Sequence, residues 1–441
     1  MIPLLSTSSM RAADADAVAA RGAEYLVRSA GTAVALEAAN LLGSCYGARV
    51  CVIAGPGLNG ADGRVAGAWL TSRGSHVDVV EVTSQPATLD HYDLVIDAAF
   101  GLGCSRPYVA PAVTKGTRVL AVDLPSGVDS DTGELLGSPL AADVTIAMGA
   151  FKYAHFTGPA SKIMGKLRCA KLGIVRDFDD GVMDDGDLAG LVQHNPDDHK
   201  WSHAITIFAG SALMPGAAEL VARGALAGGA SMIRLASRDD ARVDAPSVVV
   251  RTNDDTVDPR SRAVVAGPGL GVDATTWLRP RLAGVSVPVV LDADGLDQSL
   301  VLASRDSRRQ WVLTPHEGEF LRLTGSATPS NRIASVRQLA QSLGCVILLK
   351  GPVTVIANPS GHLRIIRSGT SALATAGTGD VLAGLIGATI ARGYDTFNAS
   401  ALAAHLHGVA GQLLAPYGTA SQLVDRVTTV LSQVTRGQEY L

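Results

Sequence analysis

Short apolar segments alternate with helical patterns along this chain, and the alternation restricts the fold more than any other feature. In the first half the apolar segments lie at 49–55, 76–82, 93–101, 118–127, 143–151 and 166–173. A first helix capped by Ser8 or Ser9 and a second helix over 24–42, ending at Gly43, precede them. Unbroken apolar strands separated by helices are typical of a parallel sheet covered on both faces. We therefore predict an α/β fold.

The alternation stops at 177–203, a charged and turn-rich stretch, and then resumes. Helices are expected over 216–233, 379–393 and 399–415, between strand-to-loop segments at 204–211, 262–271, 287–296, 311–320 and 345–358. The motifs of the two halves differ in kind, which argues against a repeat. We predict two α/β domains, 1–195 and 196–441.

Composition excludes several classes of protein. Hydrophobic residues make up 47% of the chain and charged residues 18%, which is enough to bury large cores and excludes a disordered protein. A net charge of −4 without a Lys/Arg run argues against nucleic acid. Five cysteines without a CxxC pair are typical of reduced thiols. With neither a signal-peptide pattern nor an apolar run of about 20 residues, we predict a cytoplasmic protein that does not enter membranes.

The glycine-rich loop 55–63 follows the first strand of the predicted sheet. Its glycines let a ligand approach the backbone, and the following helix N-terminus favours an anion. Gly55, Gly57 and Gly60 also satisfy G-x-G-x-x-G, with Glu81 placed to hold a ribose, so a dehydrogenase and a plain tight turn both stay open. Asn59 and Asp62 add oxygen atoms of the kind that a hard cation prefers.

Two further aspartates follow apolar strands in this half. Asp97 precedes a glycine loop that could wrap a phosphate or ribose, although an aspartate that caps a turn is an equal alternative. Asp123 leaves a buried strand just before the sharp turn 125–127. A carboxylate at such a point can act as a general base.

In the second half the segment 375–384 carries the most information. Gly377 and Gly379 open a helix whose first N–H groups can bind an anion, and Asp380 stands at its start. A carboxylate there suits a base beside a transferring phosphoryl group, and a capping aspartate is the alternative. Lys350 and its glycine turn, His316, and the glycine loop 267–271 add polar groups at other strand ends. His405 and His407, two residues apart on a helix, face different sides and do not form a metal pair.

Taken in order, these loops resemble the bifunctional NAD(P)H-hydrate repair enzymes. The first half is similar to their epimerase domain in Met10 and Asp14, the loops 55–63, 97–103 and 123–133, and Phe151-Lys152. The second half is similar to their ADP-dependent dehydratase domain in GSALMPGAAEL, GPGLG, DADGL, TPHEGEF, KGPVT and AGTGDVLAG. The first loop departs from the family's N-N-G-G-D at Leu58 and Ala61, and Arg28 stands where the family has an acid.

The resemblance implies a Rossmann-like three-layer αβα domain followed by a ribokinase-like α/β domain. In the first domain it implies a potassium ion on Asn59, Asp97 and Ser126, with Asp123 as the catalytic acid/base. The hydrate there would be bound by Leu58, Asn59, Gly60, Ala61, Asp62, Gly101, Leu102, Gly103, Cys104, Ser105, Arg106, Pro107 and Asp123.

In the second domain the resemblance implies that Asp380 accepts the proton of the substrate hydroxyl. It implies that the hydrate is bound by Ala217, Gly269, His316 and Asp380. It also implies that the nucleotide, ADP with Mg²⁺, is bound by Lys350, Gly351, Pro352, Val353, Thr354 and Gly379.

The implied function is repair of hydrated NADH and NADPH by a homo-oligomer. The first domain would interconvert the R and S hydrates, and its departures predict a weaker epimerase. The second would dehydrate the S hydrate with ADP, releasing AMP and phosphate. The alternative is a ribokinase-like vitamin or sugar kinase with a non-catalytic NAD(P)-binding module, which would accumulate a phosphorylated product.

Overall fold

The computed structural model describes residues 1–174, 178–193, 195–240, 249–251, 256–303, 310–325 and 331–437. The chain divides into two compact units, an N-terminal one built mainly from 2–181 and a C-terminal one built mainly from 182 onward. The predicted boundary at 195/196 stays a prediction. Within the described ranges, no helix combines the length and apolar character needed to cross a bilayer.

The N-terminal unit contains a parallel sheet and, in its described part, three α-helices. The helices are α1 (Thr7–Arg21), α2 (Ala23–Leu42) and α3 (Leu58–Ser72). The strands are β1 (Ile2–Leu5), β2 (Arg49–Ala54), β3 (His76–Glu81), β4 (Thr88–Leu89), β5 (Leu94–Ala98), β6 (Tyr108–Val109), β7 (Ala112–Val113), β8 (Arg118–Val122), β9 (Gly137–Ser138), β10 (Val144–Met148), β11 (Phe151–Lys152) and β12 (Lys166–Ala170). Short 3₁₀ helices lie at Val82–Ser84, Tyr153–His155 and Pro159–Lys162.

The main sheet of this unit has the order β12-β10-β8-β5-β2-β3, with every pair parallel. Residues of α2 and α3 cover one face with an alanine- and valine-rich core. The other face packs against side chains from the connections, among them the buried Tyr108 and the partly buried Val82 and Val113. The parallel α/β prediction is confirmed, and the loops that follow β2, β5, β8 and β10 meet at one edge of the sheet.

The C-terminal unit begins near β13 (Gly181–Val182) and contains a larger sheet. Its helices are α4 (Pro215–Ala227), α5 (Ala274–Leu282), α6 (Gln298–Ala303), α7 (Glu317–Thr324), α8 (Arg332–Leu343), α9 (Thr378–Ala391), α10 (Thr396–Gln412) and α11 (Ala420–Thr435). Its strands are β14 (Ala204–Phe208), β15 (Met232–Ala236), β16 (Val249–Arg251), β17 (Ala263–Ala266), β18 (Val289–Leu291), β19 (Trp311–Leu313), β20 (Val346–Leu349), β21 (Thr354–Ala357) and β22 (Leu363–Ile366). Its 3₁₀ helices are Asp185–Val192, Arg238–Asp240, Ala293–Gly295 and Ser371–Leu373.

The sheet of the C-terminal unit includes the run β22-β21-β20-β19-β18-β17-β14-β15-β16. The pairs from β20 to β16 are parallel, and β20, β21 and β22 form an antiparallel meander. Helices α4, α9, α10 and α11 contribute to its main core. A β-carbon at Gly384 would lie 2.2 Å from the Val221 carbonyl oxygen, and one at Gly387 would lie 2.4 Å from Val265. These glycines let α9 pack closely on α4 and on the sheet. The close packing fixes the position of the first turn of α9 relative to the sheet.

Several boundaries differ from the sequence predictions. Ser6, and not Ser8 or Ser9, caps α1, because Ser6 keeps an extended backbone directly after β1 and its side chain accepts from the Ser9 N–H. The helix predicted over 216–233 ends at Ala227, and its last residues belong to β15. The segment 345–358 is a hairpin of two strands. Strand β22 and helix α11 were not predicted.

Candidate active sites

A cavity of about 470 Å³ opens at the carboxyl edge of the N-terminal sheet. It is lined mostly by apolar side chains, with a small group of polar ones. The lining comprises Arg11, Asp14, Val18, Ala23, Leu26, Val27, Ala30, Pro56, Gly57, Leu58, Asn59, Asp62, Ala99, Phe100, Gly101, Leu102, Gly103, Asp123, Met148, Leu172 and Ile174. An apolar cavity with a few convergent polar groups is the usual form of a small-molecule site.

Asp123 is the most strongly oriented polar group of this cavity. Its backbone has φ 67°, a left-handed conformation that is rare outside glycine. Its carboxylate accepts hydrogen bonds from Met148 N at 3.1 Å, Leu102 N at 3.2 Å and Lys152 Nζ at 2.5 Å. Backbone strain at a functional position persists only where surrounding contacts hold it. These contacts fix the carboxylate in the cavity wall.

Lys152 and His155 hold Asp123 in place through hydrogen bonds. The Lys152 ammonium also donates to the Met148 carbonyl at 2.7 Å, and the residue is 1% exposed. Lys152 N donates to His155 Nδ1 at 2.9 Å, so His155 Nε2 carries the proton and donates to the Asp123 carbonyl at 2.9 Å. Burial, with a smaller contribution from Lys152, lowers the pKa of His155 to about 4. His155 therefore holds the Asp123 backbone as a neutral ring.

Two more carboxyl groups face the same cavity. Asp62 is 7% exposed, and burial, followed by the charges of Asp123 and Asp14, raises its pKa to about 8. Burial also raises the pKa of Asp14, against a lowering by Lys152. The Asp123 charge therefore raises the pKa of both neighbouring carboxyl groups.

The three residues expected to bind potassium lie beside this cavity. Asp97 is fully buried and accepts from Ser126 N at 2.8 Å and Ser126 Oγ at 2.5 Å. Burial raises its pKa, and within the described residues no cationic side chain pairs with it. Among the described residues, the Nδ2 of Asn59 is buried and has no hydrogen-bond partner. A buried carboxylate with amide and hydroxyl oxygens nearby suits a weakly bound monovalent cation.

The remaining residues predicted to bind the hydrate occupy different environments. Gly60 is a packing position, because a β-carbon there would lie 1.9 Å from the Gly55 carbonyl oxygen. Leu58 is 59% exposed at the rim. Gly60, Ala61 and residues 104–107 do not line the cavity. Glu81, the predicted ribose partner of a dehydrogenase, is instead paired with Arg64 at 2.6 Å.

A second polar cluster lies at the carboxyl edge of the C-terminal sheet. Lys350, which follows β20, donates to Asp292 Oδ1 at 2.8 Å and lies 3.6 Å from Glu319 Oε2. Thr314 Oγ1 donates to the same Asp292 oxygen at 2.7 Å. Asp292 is 1% exposed and Glu319 7%. The lysine therefore compensates two buried carboxylates, one directly after β18 and one in the first turn of α7.

Asp380 stands in the first turn of α9, beside this cluster. A β-carbon at Gly379 would lie 3.4 Å from Lys350 Nζ and 3.7 Å from Asp292 Oδ2, so the helix start adjoins the lysine. Burial, then the Asp292 charge, raises the pKa of Asp380 to about 7, against a lowering by Lys350. The first N–H groups of a helix lack intrahelical partners and can bind a phosphate. The arrangement combines an anion site with a carboxylate that titrates near neutrality.

The other predicted residues of this half fall around the same edge. His316 caps α7, its Nδ1 accepting from Gly318 N at 3.0 Å, and its Nε2 lies 3.4 Å from Glu319 Oε1. A β-carbon at Gly269 would lie 2.6 Å from the Ala217 β-carbon, so these two are neighbours. Residues 351–354 form the turn between β20 and β21.

The histidines of α10 are structural in this arrangement. His405 Nε2 lies 2.9 Å from Asp185 Oδ1, whereas His407 Nε2 lies 2.9 Å from the Thr378 carbonyl oxygen. The two histidines therefore have separate partners. Among the described residues, no three His, Cys, Asp or Glu side chains are placed to hold a metal ion.

Sequence reasoning did not assign roles to Lys152 and Asp292, although both lie in motifs that it singled out. Lys152 is the last residue of the short buried strand β11, and Asp292 directly follows β18. A charged residue at the end of a buried strand is the sequence signal that could have identified Lys152 and Asp292.

Comparisons with known proteins agree with this architecture. The family model described as NAD(P)H-hydrate dehydratase matches residues 205–432, and the model described as YjeF-related protein N-terminus matches 23–91 and 80–154. The bifunctional NAD(P)H-hydrate repair enzyme Nnr of Mycobacterium tuberculosis is 35% identical, with 90% of each chain covered. The chain belongs to the family of bifunctional NAD(P)H-hydrate repair enzymes.

Members of this repair family from distant organisms show similar agreement. The Nnr enzyme of Thermofilum pendens is 33% identical, covering 89% of this chain and 88% of its own. A ribokinase-like superfamily protein of Enterococcus faecalis matches 59% of this chain and 98% of its own, with a TM-score of 0.51 and 20% identity. That structure supports the ribokinase-like fold, as predicted.

Proposed function

We propose that this chain epimerises hydrated NADH and NADPH in its N-terminal unit and dehydrates the S hydrate with ADP in its C-terminal unit. One observation carries the proposal. Each unit places an aspartate and a lysine together at the carboxyl edge of a parallel sheet, Asp123 with Lys152 and Asp380 beside Lys350. Ligands of open α/β sheets bind at that edge.

The dehydration suits the surroundings of Asp380. The substrate carries a hydroxyl on the carbon next to the ring nitrogen, and hydroxide is a poor leaving group. Asp380 accepts the hydroxyl proton while the oxygen attacks the β-phosphorus of ADP, and AMP leaves. The ring nitrogen then expels phosphate, and loss of a proton from the adjacent carbon restores the double bond. A base whose pKa is near the working pH is well matched to the first step.

Nucleotide binding follows from the groups around α9. The phosphates would lie at the first turn of α9, held by Gly379 and the Lys350 ammonium, with the turn 351–354 beside them. Mg²⁺ usually binds through substrate phosphates and one or two carboxylates, which agrees with a cluster that has no complete metal site in its described residues. Ala217, Gly269 and His316 would contact the hydrate.

The epimerisation suits the cavity around Asp123. The carbon that bears both nitrogen and oxygen inverts by ring opening or by water loss, and Asp123 serves as the acid/base. Asn59, Asp97 and Ser126 would hold potassium, which supplies positive charge beside the buried Asp97. Leu58, Asn59 and Asp62 of the first loop and residues 101–103 of the second would contact the hydrate. We also propose that the protein is a homo-oligomer and that it is located in the cytoplasm.

The decisive experiment follows absorbance at 340 nm with an epimer mixture of hydrated NADH and the full-length chain. With ADP and Mg²⁺, we expect recovery of all the NADH, together with AMP and phosphate. If only the S epimer in the mixture is converted to NADH, the epimerase assignment is contradicted. A phosphorylated product that accumulates would favour a vitamin or sugar kinase instead.

A further inference from the structure

Asp62 has the features of a reactive group rather than of a packing residue. It is 7% exposed and lines the cavity, and among the described residues its carboxyl group makes no hydrogen bond or ion pair. Asn59 lies about one turn earlier on α3, and its Nδ2 is buried and has no hydrogen-bond partner among the described residues. A polar group that is shielded from solvent and has no protein partner is rare, and a catalytic role or a bound water or ion is the usual explanation.

The packing of α2 against α3 maintains this burial. A β-carbon at Gly31 of α2 would lie 2.8 Å from the Asp62 carbonyl oxygen and 2.4 Å from the Val65 β-carbon. Only glycine permits so close an approach of the two helices. Leu26, Val27 and Ala30 of α2 line the cavity together with Asp62.

Asp62 and Asp123 have different hydrogen-bonding surroundings in one cavity. Asp123 receives three hydrogen bonds, one of them from the Lys152 ammonium, which stabilises its ionised form. Asp62 has no such donors, and Asp14 adds a further carboxyl group from α1. Arg11 also lines the cavity but is exposed. One carboxylate and one carboxylic acid facing the same space form a base and an acid.

We propose that Asp62 is a second catalytic residue of the N-terminal site, the acid that donates a proton to the ring nitrogen while Asp123 accepts the proton of the substrate hydroxyl. This assignment rests on the proposed epimerase function and commits it to ring opening.

The proton balance of this step is complete. Asp123 takes the hydroxyl proton, the carbon–oxygen bond becomes a carbonyl, and the carbon–nitrogen bond breaks. The electron pair of that bond goes to nitrogen, which takes the Asp62 proton. After the aldehyde rotates, nitrogen attacks its other face, Asp62 recovers its proton, and Asp123 returns its own to oxygen. The product is the opposite epimer, and no other reactant is needed.

The test measures interconversion of separated epimers by chromatography, using the full-length chain without ADP so that dehydration does not compete. Asp62→Asn keeps the size of the side chain but removes the transferable proton. We expect kcat to fall by about 10²-fold or more with KM changed less than about threefold. Asp62→Glu should recover part of the activity, and Glu24→Gln, an exposed carboxyl on α2, should match the wild type.

The pH profile separates a proton donor from a structural residue. In the wild type kcat/KM should fall on the alkaline side near pH 8, where Asp62 loses its proton. Asp14→Asn should move this limb to lower pH, because the Asp14 charge raises the pKa of Asp62. Asp62→Asn should have no such limb in its residual activity.

The outcomes distinguish the two proposals. An active wild type with an Asp62→Asn variant that keeps more than a third of kcat, or that loses it only because its melting temperature falls, overturns the Asp62 assignment alone. A wild type no faster than the spontaneous reaction overturns the epimerase function and, with it, the assignment.

Discussion

The Lys152 ammonium lies 2.5 Å from the Asp123 carboxylate, and both side chains are shielded from solvent, with 1% and 8% exposure. Removing one partner of such a pair leaves the other charge buried and uncompensated, which costs about 3–5 kcal/mol. We therefore expect Lys152→Met to lower the free energy of unfolding of the N-terminal unit by that amount in urea. Glu81→Gln, which breaks the exposed pair with Arg64, should cost less than about 1 kcal/mol. Equal losses from the two variants would contradict this account.

Asp380→Asn should abolish dehydration while ADP still binds. The amide has nearly the shape of the carboxylate but does not accept the hydroxyl proton, so kcat should fall by about 10²–10⁴-fold. Calorimetry should give an ADP affinity close to that of the wild type. Asp425→Asn, an exposed position on α11, serves as the matched control. A variant that keeps more than a tenth of the turnover would remove Asp380 from the mechanism.

The dehydratase rate should depend on pH through Asp380. A general base acts in its ionised form, so kcat/KM should rise through about pH 7 and level off above it. Asp292→Asn removes a negative charge that raises the Asp380 pKa, and the limb should move to lower pH. Lys350→Met removes a positive charge that lowers it, and the limb should move to higher pH. Profiles that shift in the same direction in both variants would contradict the assignment.

Potassium should stimulate epimerisation through Asp97. The Asp97→Asn variant lacks the buried charge that would attract the cation, so its activity should be the same in potassium and in sodium at constant ionic strength. The wild type should be faster in potassium. Stimulation that persists undiminished in the variant would place the cation elsewhere.

The C-terminal unit should need residues 182–200 for full stability. Leu188 and Leu191 are buried in its core, His405 contacts Asp185, and Arg392 donates to the Gln193 carbonyl at 3.1 Å. A fragment 182–441 should therefore unfold at a higher urea concentration than 201–441, because losing a buried leucine typically costs about 2–5 kcal/mol. Identical midpoints would show that the segment contributes nothing.

The sequence predicted the α/β fold and most strand positions because short apolar runs between glycine-rich turns are unambiguous. It misplaced the end of α4, since Ser231 to Ile233 continue an alanine-rich helical pattern and only the Gly229 turn, with φ 97°, ends it. The aspartates at strand ends could be predicted because a residue that directly follows a strand in the sequence lies at the carboxyl edge of a parallel sheet. The pairing of Lys152 with Asp123 and of Lys350 with Asp292 depends on strand order and register, which local patterns do not contain.

Strand β1 pairs with β11, with Leu4 opposite Phe151 and Leu5 opposite Lys152. This pairing closes a loop of roughly 150 residues, at an entropy cost of about 4 kcal/mol from length alone. During synthesis on the ribosome, β2, β3, β5, β8 and β10 all emerge before β1 has a partner. The segment translated first therefore stays without this strand partner until residues 151 and 152 have been synthesised.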